Sequence, residues 1–448
     1  MGLTGIQIFK LLPKTNCGEC GVPTCLAFAM NLAAAKAELA SCPYVSEEAK
    51  AQLAEASAPP IRPLTIGAGD HALKTGGETV LFRHEKTFFN PTGFGALLTS
   101  DMAADTVAAK LRKWDTYQYE RVGLNLRPEL VAVKDLSGDA AKFAAVVKQV
   151  FDTSNFSLVL MSENPEVLKA GLAACPGGRP LLYGATKDNA DALAALAKEA
   201  GCPLGVRGEN LDDLIALSNK LTQAGLKDLV LDSGARSVKK LLEDQVAIRR
   251  AALSQKEKAL GFPTIVPAFE MAKDLDGETL IGALGVAKYA GVVLFSDFEG
   301  EAIFPLLLER LNIFTDPQRP MTVTQGIYEI NGPDENSPVC VTSNFSLTYF
   351  IVSGEIESSR VPTWLCIMDT EGLSVMTAWA AGKFVGDAVG IFIKKSGIAD
   401  KVKHRNLIIP GYSASIAGDL EEELPGWTIK VGPREAAHLP KYLRDLKA

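Results

Sequence analysis

The chain has 448 residues, of which 47% are hydrophobic and 22% are charged, and its formal net charge is −7. This composition is typical of a globular protein of two to four domains, and the acidic balance excludes a strongly basic nucleic-acid-binding surface. Because no run reaches the roughly 18 apolar residues of a membrane span, and residues 1–10 lack a signal peptide's basic start and cleavage site, we expect a cytoplasmic protein.

The most informative motif is a group of four cysteines near the start of the chain. Their spacing is C-x2-C-x4-C-x16-C, formed by Cys17, Cys20, Cys25 and Cys42. Gly18 and Gly21 follow the first two cysteines, and glycine allows a backbone to fold tightly around a cluster and direct N–H groups at its sulfurs. Thiolates select soft metal centres, and a [4Fe–4S] cluster takes four of them, so the motif predicts such a cluster.

Zinc and disulfides are the alternatives for these four thiols. A structural zinc site usually takes two close pairs of cysteines separated by a longer loop. Here three cysteines lie within nine residues, and the fourth follows an Ala- and Leu-rich segment, 26–40, that predicts a helix. The remaining cysteines are scattered in apolar contexts, which is typical of small buried hydrophobic residues in a reducing compartment. They are Cys175, Cys202, Cys340 and Cys366.

The middle of the chain alternates short apolar runs with amphipathic stretches. Residues 1–57 are predicted to form the cluster domain. The Pro-rich segment 56–63 marks its boundary, and a stiff linker is predicted over 58–78. From 79 to 322 the alternation predicts βαβ units and a parallel sheet. The apolar runs are 79–82, 130–133, 157–161, 180–183, 203–206, 228–231, 264–267 and 291–295, with helical patterns at 140–151, 189–200, 211–224 and 237–259. Eight runs favour a (β/α)8 TIM-type barrel, with a doubly wound sheet as the alternative.

Polar residues near the predicted strand ends of this barrel are weak candidates for a site. Barrel chemistry lies at the carboxyl ends of strands, but residues there are often N-caps of the following helices, which is our interpretation here. The residues are Asn90, Asp101, Asp135, Asn155, Glu163 and Asp232. The segment has no Ser/His/Asp set and no metal-spaced histidines, so we predict no histidine-centred active site.

A second α/β pattern occupies residues 323–448 and includes a Pro/Gly/Asn cluster at 331–338. Strands are predicted at 339–342, 363–368, 407–409 and 428–431, and helices at 347–358, 373–381, 414–423 and 435–443. Each strand ends in a small-residue, polar turn, and such turns line the binding crevice of an open parallel sheet. The pattern predicts a Rossmann-like domain for a large cofactor with many polar side arms; ordinary capped βα turns are the alternative.

Signatures of the common nucleotide sites are absent from this segment. There is no G-x-G-x-x-G, no Walker A sequence and no D-x-H-x-x-G, the segment that supplies a histidine to cobalt in many cobalamin-binding modules. The histidines of the segment, His404 and His438, are interpreted as surface or helix residues. A cofactor bound here is therefore expected to lack a histidine ligand.

These features together resemble the large (gamma) subunit of the corrinoid iron–sulfur protein of the acetyl-CoA decarbonylase/synthase system. The resemblance rests on the N-terminal Leu-Pro-x3-Cys-Gly-x-Cys-Gly-x3-Cys-x2-Phe-Ala motif, a barrel-sized middle and a C-terminal α/β module. Two segments add to it, Val-Thr-Ser-Asn-Phe-Ser-Leu-Thr-Tyr at 341–349 and Met-Asp-Thr-Glu-Gly at 368–372. It covers essentially the whole chain.

The resemblance implies a methyl carrier of the reductive acetyl-CoA (Wood–Ljungdahl) pathway. Corrinoid cobalt, as Co(I), would accept a methyl group from methyltetrahydrofolate or a related pterin through a separate methyltransferase, and pass it to acetyl-CoA synthase. The [4Fe–4S] cluster would return Co(II) to Co(I), using electrons from a donor such as ferredoxin. A small barrel subunit would complete a heterodimer, and the cobalamin-type corrinoid would be base-off without a histidine ligand.

The corrinoid contacts are then expected in the four C-terminal turns and at the helix starts behind them. Ser374 and Thr377 are placed near the lower cobalt face, and Glu435 and Ala436 near the nucleotide tail. The full set is Thr342, Asn344, Thr370, Gly372, Ser374, Thr377, Gly411, Ser413, Ala414, Gly432, Pro433, Glu435 and Ala436. No residue is assigned a catalytic role.

Three other functions remain open on the sequence. The chain could be an electron-transfer subunit whose C-terminal module binds a flavin or nucleotide. It could be a pterin-dependent methyltransferase whose barrel binds the methyl-pterin, or a non-enzymatic scaffold whose metal is zinc. A visible corrinoid spectrum, direct binding of methyltetrahydrofolate and metal analysis distinguish these functions.

Overall fold

The computed structural model describes residues 4–33, 37, 39–46, 48–50, 53, 59–121, 123–316 and 318–446. The chain divides into two compact units, and the first comprises Met1–Leu81, Phe89–Tyr117 and Pro128–Ile313. The second comprises Phe82–Phe88, Gln118–Arg127 and Phe314–Ala448. No helix within the described ranges is both long and apolar enough to cross a membrane.

Two short helices, Gly5–Leu11 and Cys25–Ala33, carry the cysteine region of the first unit. Thr4 and Gln7 form a capping box that fixes the start of the first helix, with Thr4 N–H donating to Gln7 Oε1 at 2.9 Å. The 3-10 turn Leu39–Ser41 precedes Cys42. The helix predicted over 26–40 is confirmed as far as residue 33; residues 34–36 and 38 of the prediction lie outside the described residues.

The first unit contains a closed barrel of eight parallel strands, as the alternation predicts. The strands are Gly93–Thr99, Leu130–Lys134, Ser157–Met161, Leu181–Ala185, Leu204–Arg207, Leu229–Asp232, Thr264–Pro267 and Ala290–Phe295. The helices that follow these strands are Ala104–Asp115, Ala140–Thr153, Pro165–Ala174, Ala190–Ala200, Leu211–Gln223, Val238–Arg250, Leu275–Ala287 and Gly300–Phe314. Strands pair in chain order, and the last pairs with the first.

The barrel strands are buried on both faces, which explains why their sequences are continuous apolar runs. Every residue of Ser157–Met161 and of Ala290–Phe295 is buried. Leu130, Val159 and Val292 meet in one interior cluster and are fully buried. Each such side chain stabilises the fold by about 1.5–3 kcal/mol relative to full exposure, so the barrel is a filled core.

One predicted barrel strand is wrong. Residues 79–82 form no strand, and the first strand is instead Gly93–Thr99. Its glycines lower strand propensity and so hide the pattern, but they are needed for packing. A Cβ built at Gly95 would lie 2.6 Å from Leu294 Cδ2 on the neighbouring strand. Close contact between side chains of the filled barrel therefore overrides the local preference.

The segment predicted as a linker over 58–78 contains a hairpin. Strands Leu64–Ile66 and Leu73–Thr75 pair in antiparallel fashion. Leu64, Ile66 and Leu73 are buried in the same cluster as the barrel interior. An extended linker is therefore not seen at 64–75, because these apolar side chains are more stable in the barrel core than in water. Residues 56–58 of the prediction lie outside the described residues.

The second unit is built on a five-stranded mixed sheet. In spatial order the strands are Gly326–Ile330, Thr363–Met368, Val339–Ser343, Asn406–Ile409 and Thr428–Val431; the first is antiparallel to its neighbour and the others are parallel. The helices are Ser346–Ser359, Val375–Ala380, Gly386–Ser396, Ile398–Lys401, Ala417–Glu423 and Leu439–Asp445, with 3-10 turns at Gly411–Ile416 and Ala436–His438. A small hairpin, Tyr119–Arg121 with Leu124–Leu126, also belongs to this unit.

Each face of this sheet has its own apolar core, because successive side chains on a strand point to opposite faces. Val341 and Cys366 belong to one cluster, whereas Cys340 and Ile408 belong to the other. The expectation that the four scattered cysteines are buried and unpaired is confirmed. They are Cys175, Cys202, Cys340 and Cys366.

Several elements of the second unit were not predicted, among them an edge strand and a long helix. The edge strand Gly326–Ile330 precedes the first predicted strand of this unit, and the helix Gly386–Ser396 contains two glycines. These glycines permit close helix packing, since a Cβ at Gly386 would lie 2.5 Å from Asp419 Cβ. Because glycine has a low helix propensity, the sequence argued against this helix, which tertiary contacts stabilise.

Candidate cofactor sites

The loop between the first two helices holds Cys17 and Cys20. Asn16, Gly18 and Gly21 have φ values of 50°, 78° and 82°, in the left-handed region that favours glycine. No atom lies within 4 Å of a Cβ built at either glycine, so these positions require glycine for their backbone conformation and not for space. Asn16 Oδ1 accepts a hydrogen bond from Cys25 N–H at 2.8 Å, which ties the loop to the second helix.

The four motif thiols are free and differ in burial. Cys25 and Cys42 are buried in one apolar cluster, Cys20 packs against it, and Cys17 is exposed. Within the part of the chain that the structure describes, no three Cys, His, Asp or Glu side chains converge closely enough to hold a metal ion. The thiols of Cys20, Cys25 and Cys42 thus lie at one apolar core, and the four thiols do not meet at one point.

Tyr44 connects the loop to the segment after Cys42. Its hydroxyl donates to Glu19 Oε1 at 2.8 Å. This hydrogen bond raises the pKa of Tyr44, and the nearby thiols of Cys17 and Cys42 raise it further. Cys17, which is exposed, and Cys42, which is buried, therefore both lie near the Tyr44 hydroxyl.

A cavity of about 340 Å³ opens at the carboxyl edge of the five-stranded sheet. It lies between the neighbouring strands Val339–Ser343 and Asn406–Ile409, which pair only at Val339 with Leu407 and Cys340 with Ile408 before they separate. The order of the sheet reverses between these two strands. Open α/β sheets bind their ligands at this kind of switch point.

Six residues predicted from the sequence line this cavity. They are Thr342, Ser374, Gly432, Pro433, Glu435 and Ala436. They come from three different turns, those after the first, second and fourth predicted strands of this unit. The rule that parallel strands bring their carboxyl ends together thus places these residues in one site.

Asn344, Thr370 and Gly372 were predicted as contacts but do not line the cavity. Asn344 is 4% exposed, and its Oδ1 accepts from the N–H groups of Thr370 at 3.0 Å and Gly372 at 3.1 Å. Its Nδ2 donates to Asp369 Oδ1 at 2.9 Å. Asn344 therefore fixes the turn after one strand to the turn after its neighbour, and these residues position the wall of the cavity.

Gly411 and Ser413 have a similar positioning role. A Cβ at Gly411 would lie 2.6 Å from Arg434 N, so the turns after the last two strands approach more closely than any side chain allows. Gly411 N–H donates to Pro433 O at 3.1 Å, and Ser413 Oγ donates to Pro410 O at 2.8 Å. Both residues are buried behind the lining.

Thr377 and Ala414 also lie outside the lining. Thr377 Oγ1 is 3.0 Å from Ser374 Oγ, so it reaches the cavity only through that hydroxyl. Ala414 is exposed and is not part of the wall. Of the two residues placed near a cobalt face, only Ser374 therefore touches the cavity directly.

The prediction missed the apolar and cationic parts of the wall. Ile351, Met376 and Tyr412 line the cavity although their side chains are 48%, 44% and 49% exposed. Arg434 also lines it and lies 5.9 Å from the Tyr412 ring. A hydrogen bond from Tyr412 to Glu435 at 2.9 Å raises the pKa of this tyrosine. Arg434 could have been found, because it belongs to one of the predicted turns.

The carboxyl ends of the barrel strands form a different kind of polar group. Asp232 accepts from Tyr183 Oη at 2.5 Å and from Arg236 Nη2 at 2.8 Å, and Arg236 Nε donates to Glu270 at 2.5 Å. Lys134 Nζ lies 3.5 Å from Glu270. Burial raises the pKa of Tyr183 well above its usual range, and the Asp232 carboxylate raises it further. These side chains therefore satisfy one another.

The interpretation of the barrel candidates as helix N-caps is wrong for all six residues. The cap of Ala104–Asp115 is Ala103 and not Asp101, and Asn90 and Asn155 precede strands. Asp135, Glu163 and Asp232 are not caps either. Asp135 accepts from Gly138 N–H at 2.8 Å within a turn, and Glu163 pairs with Arg207 at 2.6 Å. The caps are residues closer to each helix start, because the loops are longer than the apolar pattern indicates. They are Asp139, Asn164 and Ser237.

Comparison with known proteins identifies the class to which these two sites belong. A family model described as a putative Fe–S cluster matches residues 12–44, which include all four motif cysteines. A second model, the delta subunit of CO dehydrogenase/acetyl-CoA synthase, matches residues 63–443. The class is thus an acetyl-CoA synthase-associated protein with an iron–sulfur motif.

Relatives along the whole chain narrow the class further. The corrinoid/iron-sulfur protein large subunit of Moorella thermoacetica is 44% identical over 444 residues, which cover 99% of both chains. The acetyl-CoA decarbonylase/synthase complex subunit gamma of Methanopyrus kandleri is 38% identical, covering 98% of this chain and 97% of that protein. The chain therefore belongs to the family of large, or gamma, subunits of the corrinoid/iron-sulfur protein.

Solved structures with a similar fold include dihydropteroate synthases. The enzyme from Vibrio fischeri superposes with a TM-score of 0.41 at 10% identity, covering 57% of this chain and all of that one. The enzyme from Yersinia pestis superposes with a TM-score of 0.37 at 14% identity, covering 51% of this chain. Similarity at this level carries no implication for ligand or activity.

Proposed function

We propose that this chain is the cofactor-carrying large subunit of a corrinoid iron–sulfur methyl carrier of the Wood–Ljungdahl pathway. Similarity to the Moorella large subunit along the whole chain carries the proposal. When bound, the corrinoid supplies a cobalt centre for methyl transfer, and a [4Fe–4S] cluster supplies the electron that keeps it active. The chain itself supplies two sites that suit these groups.

Cys17, Cys20, Cys25 and Cys42 are the proposed cluster ligands. Four free thiols are the donor set that a [4Fe–4S] cluster takes. Three of them gather around one apolar core, and the fourth lies on the glycine-rich loop beside it. Cluster binding would draw Cys17 toward that core, and the open space around Gly18 and Gly21 leaves the loop room to close.

The corrinoid is proposed to bind at the switch-point cavity of a Rossmann-like domain. Thr342, Ser374 and Ala436 line the cavity, and exposed apolar side chains continue it outward. Arg434 places a cation at the wall, where it suits the phosphodiester of the nucleotide tail. None of the described residues that line the cavity is a histidine, and the cobalt is proposed to be base-off without a histidine ligand.

The other members of the predicted contact set support the site from behind or lie at its margin. Asn344 and Gly411 hold neighbouring turns together, as their hydrogen bonds indicate. We retain the domain division 1–57, 58–78, 79–322 and 323–448 as the working description, with the hairpin at 64–75 contributing to the barrel core. The proposed partners are the small subunit, a pterin-dependent methyltransferase, acetyl-CoA synthase and a donor such as ferredoxin, in the cytoplasm.

The proposal is tested by anaerobic metal analysis and an optical spectrum of the chain purified with the partner it retains. Roughly four iron atoms and one cobalt atom per complex, with a base-off corrinoid spectrum, are expected. Iron without cobalt would favour the electron-transfer alternative, and zinc without iron would favour the scaffold.

A cysteine pair provides the matched control for the cluster ligands. Cys25→Ser is expected to lose most of the iron while the corrinoid remains. Cys175→Ser replaces an equally buried thiol outside the motif, and should keep both metals. Equal iron in the two variants would contradict the assignment of Cys25 as a ligand.

A further inference from the structure

A second cavity of the five-stranded sheet lies at the edge opposite the switch-point cavity, where the parallel strands begin. It measures about 920 Å³ and is lined by Val339 and Asn406, the first residues of two neighbouring strands, and by Pro362, which precedes a third. Among the described residues, Ile408 is the one that lines both cavities. We propose that this amino-edge cavity binds a small organic phosphate, a molecule that carries at least two phosphate groups and an apolar part.

Three cationic side chains from different elements line the amino-edge cavity. Arg360 ends the helix Ser346–Ser359, Lys430 lies on the strand Thr428–Val431 and Arg444 lies on the helix Leu439–Asp445. Among the residues that the structure describes, no carboxylate forms an ion pair with any of the three. Lys403, by contrast, pairs with Glu335. Positive charges that are left unpaired around one concave space attract an anion.

The charge of the lining stays positive when its other titratable groups are considered. Asp445 supplies the one carboxylate among the described lining residues, so three cations face one anion in a chain whose net charge is −7. Both ring nitrogens of His404 are occupied by the backbone, because Nδ1 accepts from Asn406 N–H at 3.1 Å and Nε2 donates to Ser337 O at 2.9 Å. The ring therefore supports the wall, and the remaining charge suits a ligand with about two negative charges.

Arg360 is not required to stabilise the helix that it ends. Cations often offset the partial negative charge at the carboxyl end of a helix. Here the last carbonyls already have donors, because Asn331 Nδ2 donates to Ile356 O at 3.0 Å and to Glu357 O at 3.3 Å, and Ser359 Oγ donates to Ile356 O at 2.6 Å. Arg360 also has a φ of 58°, in the left-handed region where glycine is usual at a helix end. A partner in the cavity therefore explains this side chain better than its own helix does.

The remainder of the lining determines what kind of anion fits. Val361, Leu443 and Leu446 add apolar side chains beside the cations. Arginine suits phosphate because its planar guanidinium donates two parallel hydrogen bonds to it. A volume of about 920 Å³ is in the upper part of the range for small-molecule sites, so a phosphate ion alone would leave the apolar side chains in contact with water. A molecule of the size of a nucleotide matches both parts of the wall.

The test uses the complex of the chain with the partner and the corrinoid that it retains on purification. ADP, pyrophosphate and adenosine are titrated in turn by calorimetry, since pyrophosphate keeps the phosphate groups of ADP and adenosine keeps its apolar part. We expect ADP to bind at least about tenfold more tightly than either of the others. Equal binding of ADP and pyrophosphate overturns the requirement for an apolar part, and no binding of ADP overturns the site. The visible spectrum of the corrinoid is recorded alongside, so this proposal and the proposed function can fail separately.

Two variants locate the binding of ADP in this cavity. Arg360→Gln and Lys430→Gln each remove one charge from a different element, and each should weaken ADP binding about tenfold. Lys441→Gln is the matched control, because it removes an exposed lysine from the helix that carries Arg444 and does not alter the lining. Unchanged affinity in both cavity variants, or an equal loss in the control, overturns the assignment. Weaker protection of Ser346–Ser359 from hydrogen exchange in Arg360→Gln, at unchanged affinity for ADP, would also overturn it, because this cation would then serve only its helix.

Discussion

The carboxyl ends of parallel strands are polar in both units, but the polar groups form a buried network in one unit and surround a cavity in the other. In the barrel, Asp232 is 2% exposed and bonds Tyr183 and Arg236, which bonds Glu270 in turn. In the five-stranded sheet, the strands separate after Cys340 and leave a cavity whose lining includes Ser374 and Arg434. The same position in an α/β fold is therefore a closed network in one unit and an open cavity in the other.

This difference separates a filled polar network from an open cavity better than residue type does. Asp232 lies where barrel enzymes place catalytic carboxylates, yet its oxygens are already occupied. A methyl-pterin would have to compete with Arg236 and Tyr183 for that carboxylate. The network therefore argues against the alternative in which the barrel itself binds the pterin.

Removing the centre of the barrel network should have the largest effect. Asp232→Ala removes the acceptor of the Tyr183 hydroxyl and one of the two carboxylates that pair with Arg236. We expect a cost of about 3 kcal/mol, at the lower end for a buried pair, because Glu270 still pairs with the guanidinium. We expect faster hydrogen exchange in barrel peptides and unchanged corrinoid content in the protein that remains folded. The control is Asp191→Ala, which breaks a pair whose carboxylate is 80% exposed, and should cost less than about 1 kcal/mol. Loss of corrinoid while the barrel peptides keep their protection from hydrogen exchange would contradict this assignment, because the barrel network would then serve the cofactor and not the fold.

Filling the cavity should have the next largest effect, and on the other unit only. Ala436→Trp places a large side chain in the lining and should weaken corrinoid binding by about a hundredfold, which corresponds to roughly 2.7 kcal/mol. Ala437→Trp adds the same side chain at the next, exposed position, outside the lining, and should bind normally. The measurement is a spectrophotometric titration of each cofactor-free complex. Similar affinities for the two variants would mean that the corrinoid lies elsewhere.

How far each site could be predicted depends on the range of the interactions that form it. The barrel is visible in the sequence because its strands, such as Ser157–Met161, are continuous apolar runs. Its first strand is not, because Gly95 is required by a neighbour that lies far along the chain. Six of the predicted contacts line the cavity, since strand polarity alone gathers them at one edge.

The rest of the site depends on contacts that no local pattern records. Asn344 and Gly411 resemble lining residues in sequence, but their hydrogen bonds and close approaches turn them into supports. Cys340 and Ile408 resemble ordinary core residues, and they line the cavity only because two strands separate above them. For the same reason, the partners that satisfy Asp232 could not be assigned from the sequence.

Alkaline pH should reveal whether the two units bury their thiols equally well. Burial raises the pKa of Cys175 in the barrel and of Cys340 in the cavity wall to about 12. Because an unfolded thiol ionises near pH 8.5–9, each contributes stability that is complete below that pH and is lost as pH rises toward 12. At pH 10 the loss is about 1–2 kcal/mol per thiol. Replacing either cysteine with alanine should remove that thiol's part of the loss of stability between pH 7 and pH 10. Local hydrogen exchange at the two pH values measures it. An effect of Cys175 alone would show that water reaches the cavity wall.

The smallest effect is expected for the cation at the cavity. Arg434→Met keeps the length of the side chain but removes the charge proposed to pair with the tail phosphodiester, and should weaken cobalamin binding about fivefold, or roughly 1 kcal/mol. The control is Lys441→Met, which removes an exposed cation that does not line the cavity, and should bind normally. Because cobinamide lacks that phosphodiester, its affinity should be the same in Arg434→Met and in the unaltered chain. A comparable loss of affinity for cobinamide would show that Arg434 contacts the corrin ring or stabilises the fold. The cation would then have a role inside the protein, as the charged groups of the barrel network do.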